Sequence, residues 1–202
     1  MTCPRPHDLL RITSTTQLSQ DAPPWVTPAL REAPWVVVRR ARCAPGHVPV
    51  GIRGQSRSHR HATVIEAGAV AETLSPPDLV DRIDRLPDLP VTTALRRASA
   101  LLTSTGLRWG PAGSVGFSLA AGVSVVTARS DLDLVLTVDE VPSQAMLAAL
   151  RDEFYGLPAR VDCQLDLPIG GIALDDLLGP TDQVLVRTAD GPALMNVGRL
   201  AS

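Results

Sequence analysis

The sequence predicts an α/β (α+β) fold, with a C-terminal domain on a mixed sheet after a small β-rich N-terminal domain. Three observations predict it. Beyond residue 89, apolar residues alternate between helical spacing and short strand-like runs. Before residue 88, short β-branched runs are broken by Gly and Pro. Between them, Pro87-Asp88-Leu89-Pro90 is a natural linker, placing the domains at residues 1–88 and 89–202.

In the first domain, Trp35-Val36-Val37-Val38 reads as a strand. Val48 to Gly54 reads as a strand or loop entering a polar turn, and Ala62 to Glu66 as a second strand candidate. Ser75-Pro76-Pro77-Asp78 opens a helix to about Leu86, with Ser as N-cap and Pro in the first turn. In the second domain, Leu95, Ala98, Leu101 and Leu102 mark a helix over 92–104, stopped by Gly106. Two short strands follow, 115–119 and 123–127, as a hairpin leading to a strand over 130–136. Met146, Leu147, Leu150 and Phe154 share one face of a helix over 142–155. A strand over 160–167, a short helix over 174–178 and a strand over 183–187 complete the series.

At 45% hydrophobic over 202 residues, the chain can bury a core. No apolar run approaches a membrane span, and Met1 to Pro6 lack the apolar core of a signal peptide. A cytoplasmic protein without a membrane partner is expected. Cys3, Cys43 and Cys163 show no zinc or disulfide spacing. Cys163 reads as a small core residue rather than a reactive thiol.

The charge is uneven. Residues 1–61 hold nine Arg against Asp8, Asp21 and Glu32, a net +6. Residues 62–202 hold ten Arg against eighteen acids, a net −8, and the two sum to the overall −2. The basic part points to an anionic partner or to a solvated face. Its densest stretch runs from Gly51 to His61 and contains Arg53, Arg57 and Arg60. Arg forks match phosphate geometry, so these three are candidate phosphate ligands; the alternative is an exposed turn. His7 is a candidate acid–base group or, more commonly for such a residue, a hydrogen-bonded structural one.

The richest chemistry lies in Ser130-Asp131-Leu132-Asp133-Leu134-Val135-Leu136. On a strand, residues i and i+2 share a face, so Asp131 and Asp133 could together hold hard Mg²⁺ ions. A paired carboxylate on a buried strand needs cations or donors nearby. Gly113-Ser114 lies upstream, where Gly permits close backbone approach and Ser offers a hydroxyl and an N–H to phosphates. Val161-Asp162-Cys163 lies downstream, another carboxylate in a strand-like run. Asp162 would bind metal beside the nucleophile or help deprotonate a hydroxyl. Asp166, four residues on and on the same face, competes for that role. Phosphoryl transfer suits this set, because bound metal neutralises charge on the phosphates.

A Gly-Ser turn, a D-x-D strand and a third strand carboxylate, in that order, resemble the nucleotidyltransferase superfamily. The resemblance sharpens along the whole chain. Arg5-Pro6-His7-Asp8-Leu9-Leu10, Pro49 to Gly54, Arg108 to Phe117, Ser130 to Leu134, Val161 to Leu165, Gly170 to Leu174 and Arg187 to Pro192 occur in order. Together they resemble the malonate decarboxylase holo-acyl-carrier-protein synthases, a family of phosphoribosyl-dephospho-CoA transferases. The resemblance implies a Mg²⁺-dependent enzyme with triphosphoribosyl-dephospho-CoA as donor. It implies that the prosthetic group moves to a serine of the apo acyl carrier protein subunit of malonate decarboxylase, with release of pyrophosphate. The family's two essential carboxylates fall on Asp131 and Asp133. DNA and RNA are not expected partners. Two other readings are a different metal-dependent nucleotidyltransferase, adenylylating a protein or small molecule, and a non-catalytic nucleotide-binding module. Intact Asp131, Asp133 and Asp162 speak against the latter.

Overall fold

The computed structural model describes residues 4–13, 22–54, 56 and 58–199. It is α/β, with two sheets. Five antiparallel strands form the first: β1 (Leu9–Ile12), β2 (Trp35–Val38), β3 (His47–Arg53), β4 (Arg60–Glu66) and β5 (Val70–Leu74), in the order β4-β3-β2-β1-β5. Helix α1 (Val26–Glu32) covers one face. Alternation along β1 divides its neighbours. Leu10 and Ile12 pack with Val26, Leu30, Val50 and Ile52 beneath α1, while Leu9 joins the main core.

The second sheet has six strands: β6 (Arg108–Pro111), β7 (Leu132–Thr137), β8 (Val161–Leu167), β9 (Gly170–Ala173), β10 (Gln183–Thr188) and β11 (Gly191–Asn196). Their order is β11-β10-β9-β8-β7-β6, and only β7 and β8 run parallel. A parallel pair needs a crossover, supplied here by α4 (Gln144–Tyr155), which buries Leu147, Leu150 and Phe154. Ahead of the sheet, α2 (Pro90–Thr105) buries Val91, Leu95, Ala98 and Leu102 and ends at Gly106, whose φ of 71° suits a left-handed cap. The short helix α5 (Leu174–Leu177) follows β9.

The main core draws Leu9, Trp35 and Leu74 from the first sheet together with Leu134, Leu136 and Leu165 from the second. Between the sheets, Pro76–Arg85 is a 3₁₀ helix rather than an α-helix, with Asp78 accepting the Ser75 N–H at 2.8 Å. It lies against β6 so closely that a Cβ on Gly110 would sit 2.1 Å from the Pro76 carbonyl. Gly110→Ala should therefore destabilise the protein by more than 1 kcal/mol, on the order of an overpacked core site, read by denaturant unfolding.

Two expected strands are absent. Residues 113–121 form a helix, α3 (Gly113–Ala121), and residues 123–127 form no strand. The hairpin between Ser114 and Asp131 is thus a helix followed by a loop. Val115 to Ala120 are all buried, and Val115, Phe117 and Leu119 alternate with the small Gly116, Ser118 and Ala120, a period of two that imitates a strand. The strand preceding Gly113 is β6.

Candidate active site

Asp133 is the second residue of β7, and Asp131 lies one residue before the strand. In the parallel β7–β8 ladder Asp133 is the register partner of Asp162. Adjacent strands lie about 4.8 Å apart, so both carboxylates rise from neighbouring backbone positions on one face. The turn from β6 into α3 wraps the first of them. The Ala112 N–H donates to the Asp133 carbonyl at 2.9 Å. Gly113 adopts φ 55°, and a Cβ there would sit 1.8 Å from Asp133 Oδ2. Only glycine lets the backbone approach this carboxylate so closely. The first turn of α3 also carries N–H groups that lack intrahelical partners and favour anions.

Burial pushes the Asp133 carboxyl above its ordinary range, and the negative charges of Asp162 and Asp131 push it the same way. Arg60 and Arg53 pull it back. The site is therefore short of positive charge. Those two arginines are register partners near the end of the β3–β4 hairpin. Trp25 clamps the hairpin from α1, its ring stacked on His59 with centroids 4.9 Å apart and planes 5° from parallel. Gly54 leaves room for that stack, since a Cβ there would meet His59 and Trp25 at 2.7 and 2.8 Å.

Carboxylates and arginines face each other across a cleft of about 670 Å³ between the sheets. The first sheet contributes Gly51, Arg53 and Arg60, with Arg39 just beyond β2, and the second Asp133, Asp162, Gln164 and Arg187. His7, on the segment entering β1, closes one side.

Comparison with known proteins places this chain in a family. The family described as "Phosphoribosyl-dephospho-CoA transferase MdcG C-terminal domain" matches residues 78–198, and its N-terminal-domain counterpart matches residues 5–76. A phosphoribosyl-dephospho-CoA transferase of Pseudomonas putida (strain W619) is 40% identical over 195 residues, covering 96% of this chain and 95% of the relative. One from Azotobacter vinelandii is 37% identical over 196 residues, covering 95% and 92%. One from Pseudomonas aeruginosa is 40% identical over 194 residues, again covering 95% and 92%. The chain belongs to the phosphoribosyl-dephospho-CoA transferase family. No solved structure matches it significantly.

In this member of the transferase family, the residues singled out from sequence divide into three groups. Asp133, Asp162, Gly113, Arg53 and Arg60 line the cleft. Asp131 and Ser114 are half-buried neighbours that do not line it, although Asp131 acts on Asp133 electrostatically. Arg57 lies outside the described residues. Asp166 is distinguished from Asp162, because it is ion-paired with Arg40 while both side chains are mostly buried. Cys163 is 5% exposed and burial pushes its thiol up to about 12, so it is an inert core residue. Arg40, Gln164 and Arg187 were missed as cleft residues. The alternation Asp162, Gln164, Asp166 on β8 signals one polar face, and Arg187 holds the same kind of position in β10.

Among the described residues, no three His, Cys, Asp or Glu side chains form a ready-made metal cage. Mg²⁺ bound with a triphosphate needs none, since one or two carboxylates, substrate oxygens and waters complete its octahedron. The donors here are all carboxylate oxygens around a charge-deficient centre, which fits a hard divalent cation. Among the described residues no helix is long and apolar enough to cross a membrane.

Proposed function

We propose that the protein transfers 2′-(5-phosphoribosyl)-3′-dephospho-CoA from its triphosphate precursor to a serine of the apo acyl carrier protein subunit of malonate decarboxylase. The observation that supports this most is Asp133 and Asp162 in register across a parallel pair, facing Arg53 and Arg60 over the cleft. Membership of the family supplies the substrate class.

In the proposed reaction, the donor's triphosphate lies between the α3 N-terminus and the hairpin arginines. Arg53 and Arg60 offer forked donors to its outer phosphates, and the Gly113 and Ser114 backbone N–H groups offer more. Asp133 and Asp162, with Asp131, would hold Mg²⁺, which when bound would neutralise charge developing on the phosphates. The serine Oγ attacks the α-phosphorus in line. The Oγ–P bond forms, the bond to the β-phosphate bridging oxygen breaks, and pyrophosphate leaves. Asp162, the exposed carboxylate of the pair, accepts the serine proton.

Two expected outcomes test these roles. Arg53→Ala and Arg60→Ala should each weaken donor binding by about 1.5–3 kcal/mol, the range for a hydrogen bond to a charged group, in calorimetric titration. Unchanged donor affinity with a raised carrier KM would assign the arginines to protein docking instead; acidic carriers suit a basic surface. Asp162→Asn should slow turnover more than it weakens donor binding. Asp166→Asn should spare the chemical step yet lower stability, because it leaves Arg40 without its partner. Single-turnover rates and unfolding midpoints on the two variants separate these effects.

A further inference from the structure

Gln164 stands two residues beyond Asp162 on β8 and therefore shares its face. Its amide is oriented by its neighbours. Arg187 Nη1 donates to Gln164 Oε1 at 3.2 Å, which leaves the amide nitrogen pointing to His7 Nε2 at 2.9 Å. An amide NH₂ only donates, and a flipped amide would turn its nitrogen on the guanidinium. His7 Nε2 must then be the acceptor, so the ring is neutral with its proton on Nδ1. Gly171 makes room for this arrangement, since a Cβ there would sit 2.4 Å from Gln164 Nε2.

His7 is held in place on its own side too. It has φ 73°, the only positive φ of a non-glycine among the described residues, and its N–H donates to the Val38 carbonyl at 3.0 Å. A left-handed histidine persists where its surroundings over-determine it. One rung further along β8, Arg40 from the segment that follows β2 pairs with Asp166. Two adjacent polar contacts thus tie the first sheet to the strand that carries Asp162.

We propose that His7 and Gln164 are positioning residues: their hydrogen bond, made only with neutral His7, sets the first sheet, and with it Arg53 and Arg60, over Asp133. The consequence for the donor rests on the function proposed above; the hydrogen bond itself does not. The charged groups facing His7 are Asp166 on β8, Arg40 beyond β2 and Arg187 on β10. Burial lowers the imidazole's pKa most, Asp166 opposes it, and Arg40 and Arg187 reinforce the lowering. With the folded value below the ordinary 6.5, the contact is fully present above that pH and is lost as pH falls through the lowered value.

The experiment is histidine-selective ¹H–¹⁵N NMR of the full chain over a pH series, with donor kinetics on the same preparations. In the native protein His7 Nε2 should be unprotonated at neutral pH and titrate below the ordinary value. In Gln164→Glu the introduced carboxylate accepts from the charged ring, so the His7 titration should move above that value. Donor kcat/KM should fall with acid in the native protein, and in Gln164→Leu the donor KM should rise about tenfold, the scale of one lost hydrogen bond, with kcat changed less. A protonated Nε2 at neutral pH, or no movement of the titration in Gln164→Glu, overturns the contact. A correct tautomer with an unchanged donor KM in Gln164→Leu overturns its positioning role. Absence of any transfer by the native protein overturns the proposed function and leaves the NMR outcome to decide the contact.

Discussion

Asp133→Asn is expected to lower the transfer rate by at least about 10³-fold, the scale for loss of a main electrostatic stabiliser, without loss of the fold. The side chain keeps its shape but loses the charge that would bind Mg²⁺. Its stability effect has a definite sign. The folded-state carboxyl of Asp133 titrates above its unfolded value, because burial, Asp162 and Asp131 all oppose its charge. Ionised Asp133 therefore weakens the fold at neutral pH, and that loss is recovered as pH falls through the raised value. Asn carries no charge, so the unfolding midpoint at neutral pH should equal or exceed that of the native protein. Asp131→Asn should lower transfer on the same scale if it shares the ion. Near-native turnover of both variants with Mg²⁺ present would refute the assignment, and a large drop in midpoint would show that Asp133 serves the fold instead.

Gly113→Ala should have the second-largest effect, on the order of 10²-fold in turnover, as for an active-site group displaced by about 1 Å. The new methyl and the Asp133 carboxylate cannot occupy the same space at 1.8 Å, so the carboxylate must move. The backbone φ of 55° adds a strain of about 1–2 kcal/mol for an L-residue. Thermal unfolding should thus show a modest loss and single-turnover kinetics a severe one. Activity within twofold of native would mean that the Gly113–Asp133 contact does not matter to the reaction.

Much of this site could be read from residue order. Asp133 on β7 and Asp162 on β8 were legible as strand carboxylates because alternation is a local property, and their register across a parallel pair follows once α4 supplies the crossover, whereas Asp131 lies just before the strand. The helical α3 was not legible. Val115 to Ala120 are buried on every side of the helix, so no polar face marks a helical period, and the alternation of Val115, Phe117 and Leu119 favours a strand in isolation. Reading it as a strand also misplaced Gly113, which is the start of a helix rather than a turn leading into a hairpin. The four-residue strands β1, β6 and β9 escaped notice because they lack the β-branched run that marks the equally short β2, and Gly and Pro interrupt β6 and β9 or their edges. Arg40 meets β8 only through the packing of two sheets, and Arg187 only through the strand order β8-β9-β10, neither of which a local pattern encodes. The separate fates of Asp162 and Asp166 likewise depend on a partner 126 residues away.

The most direct test of the proposed function follows mass. The protein is incubated with Mg²⁺, triphosphoribosyl-dephospho-CoA and apo acyl carrier protein, and both proteins are weighed by mass spectrometry after quenching, with a parallel reaction lacking carrier. Direct transfer predicts that the carrier gains one phosphoribosyl-dephospho-CoA on its serine and that the protein gains nothing in either reaction. A stoichiometric adduct on the protein that chases to added carrier would contradict direct displacement, and a carrier that gains an adenylyl mass, or none, would contradict the proposed function.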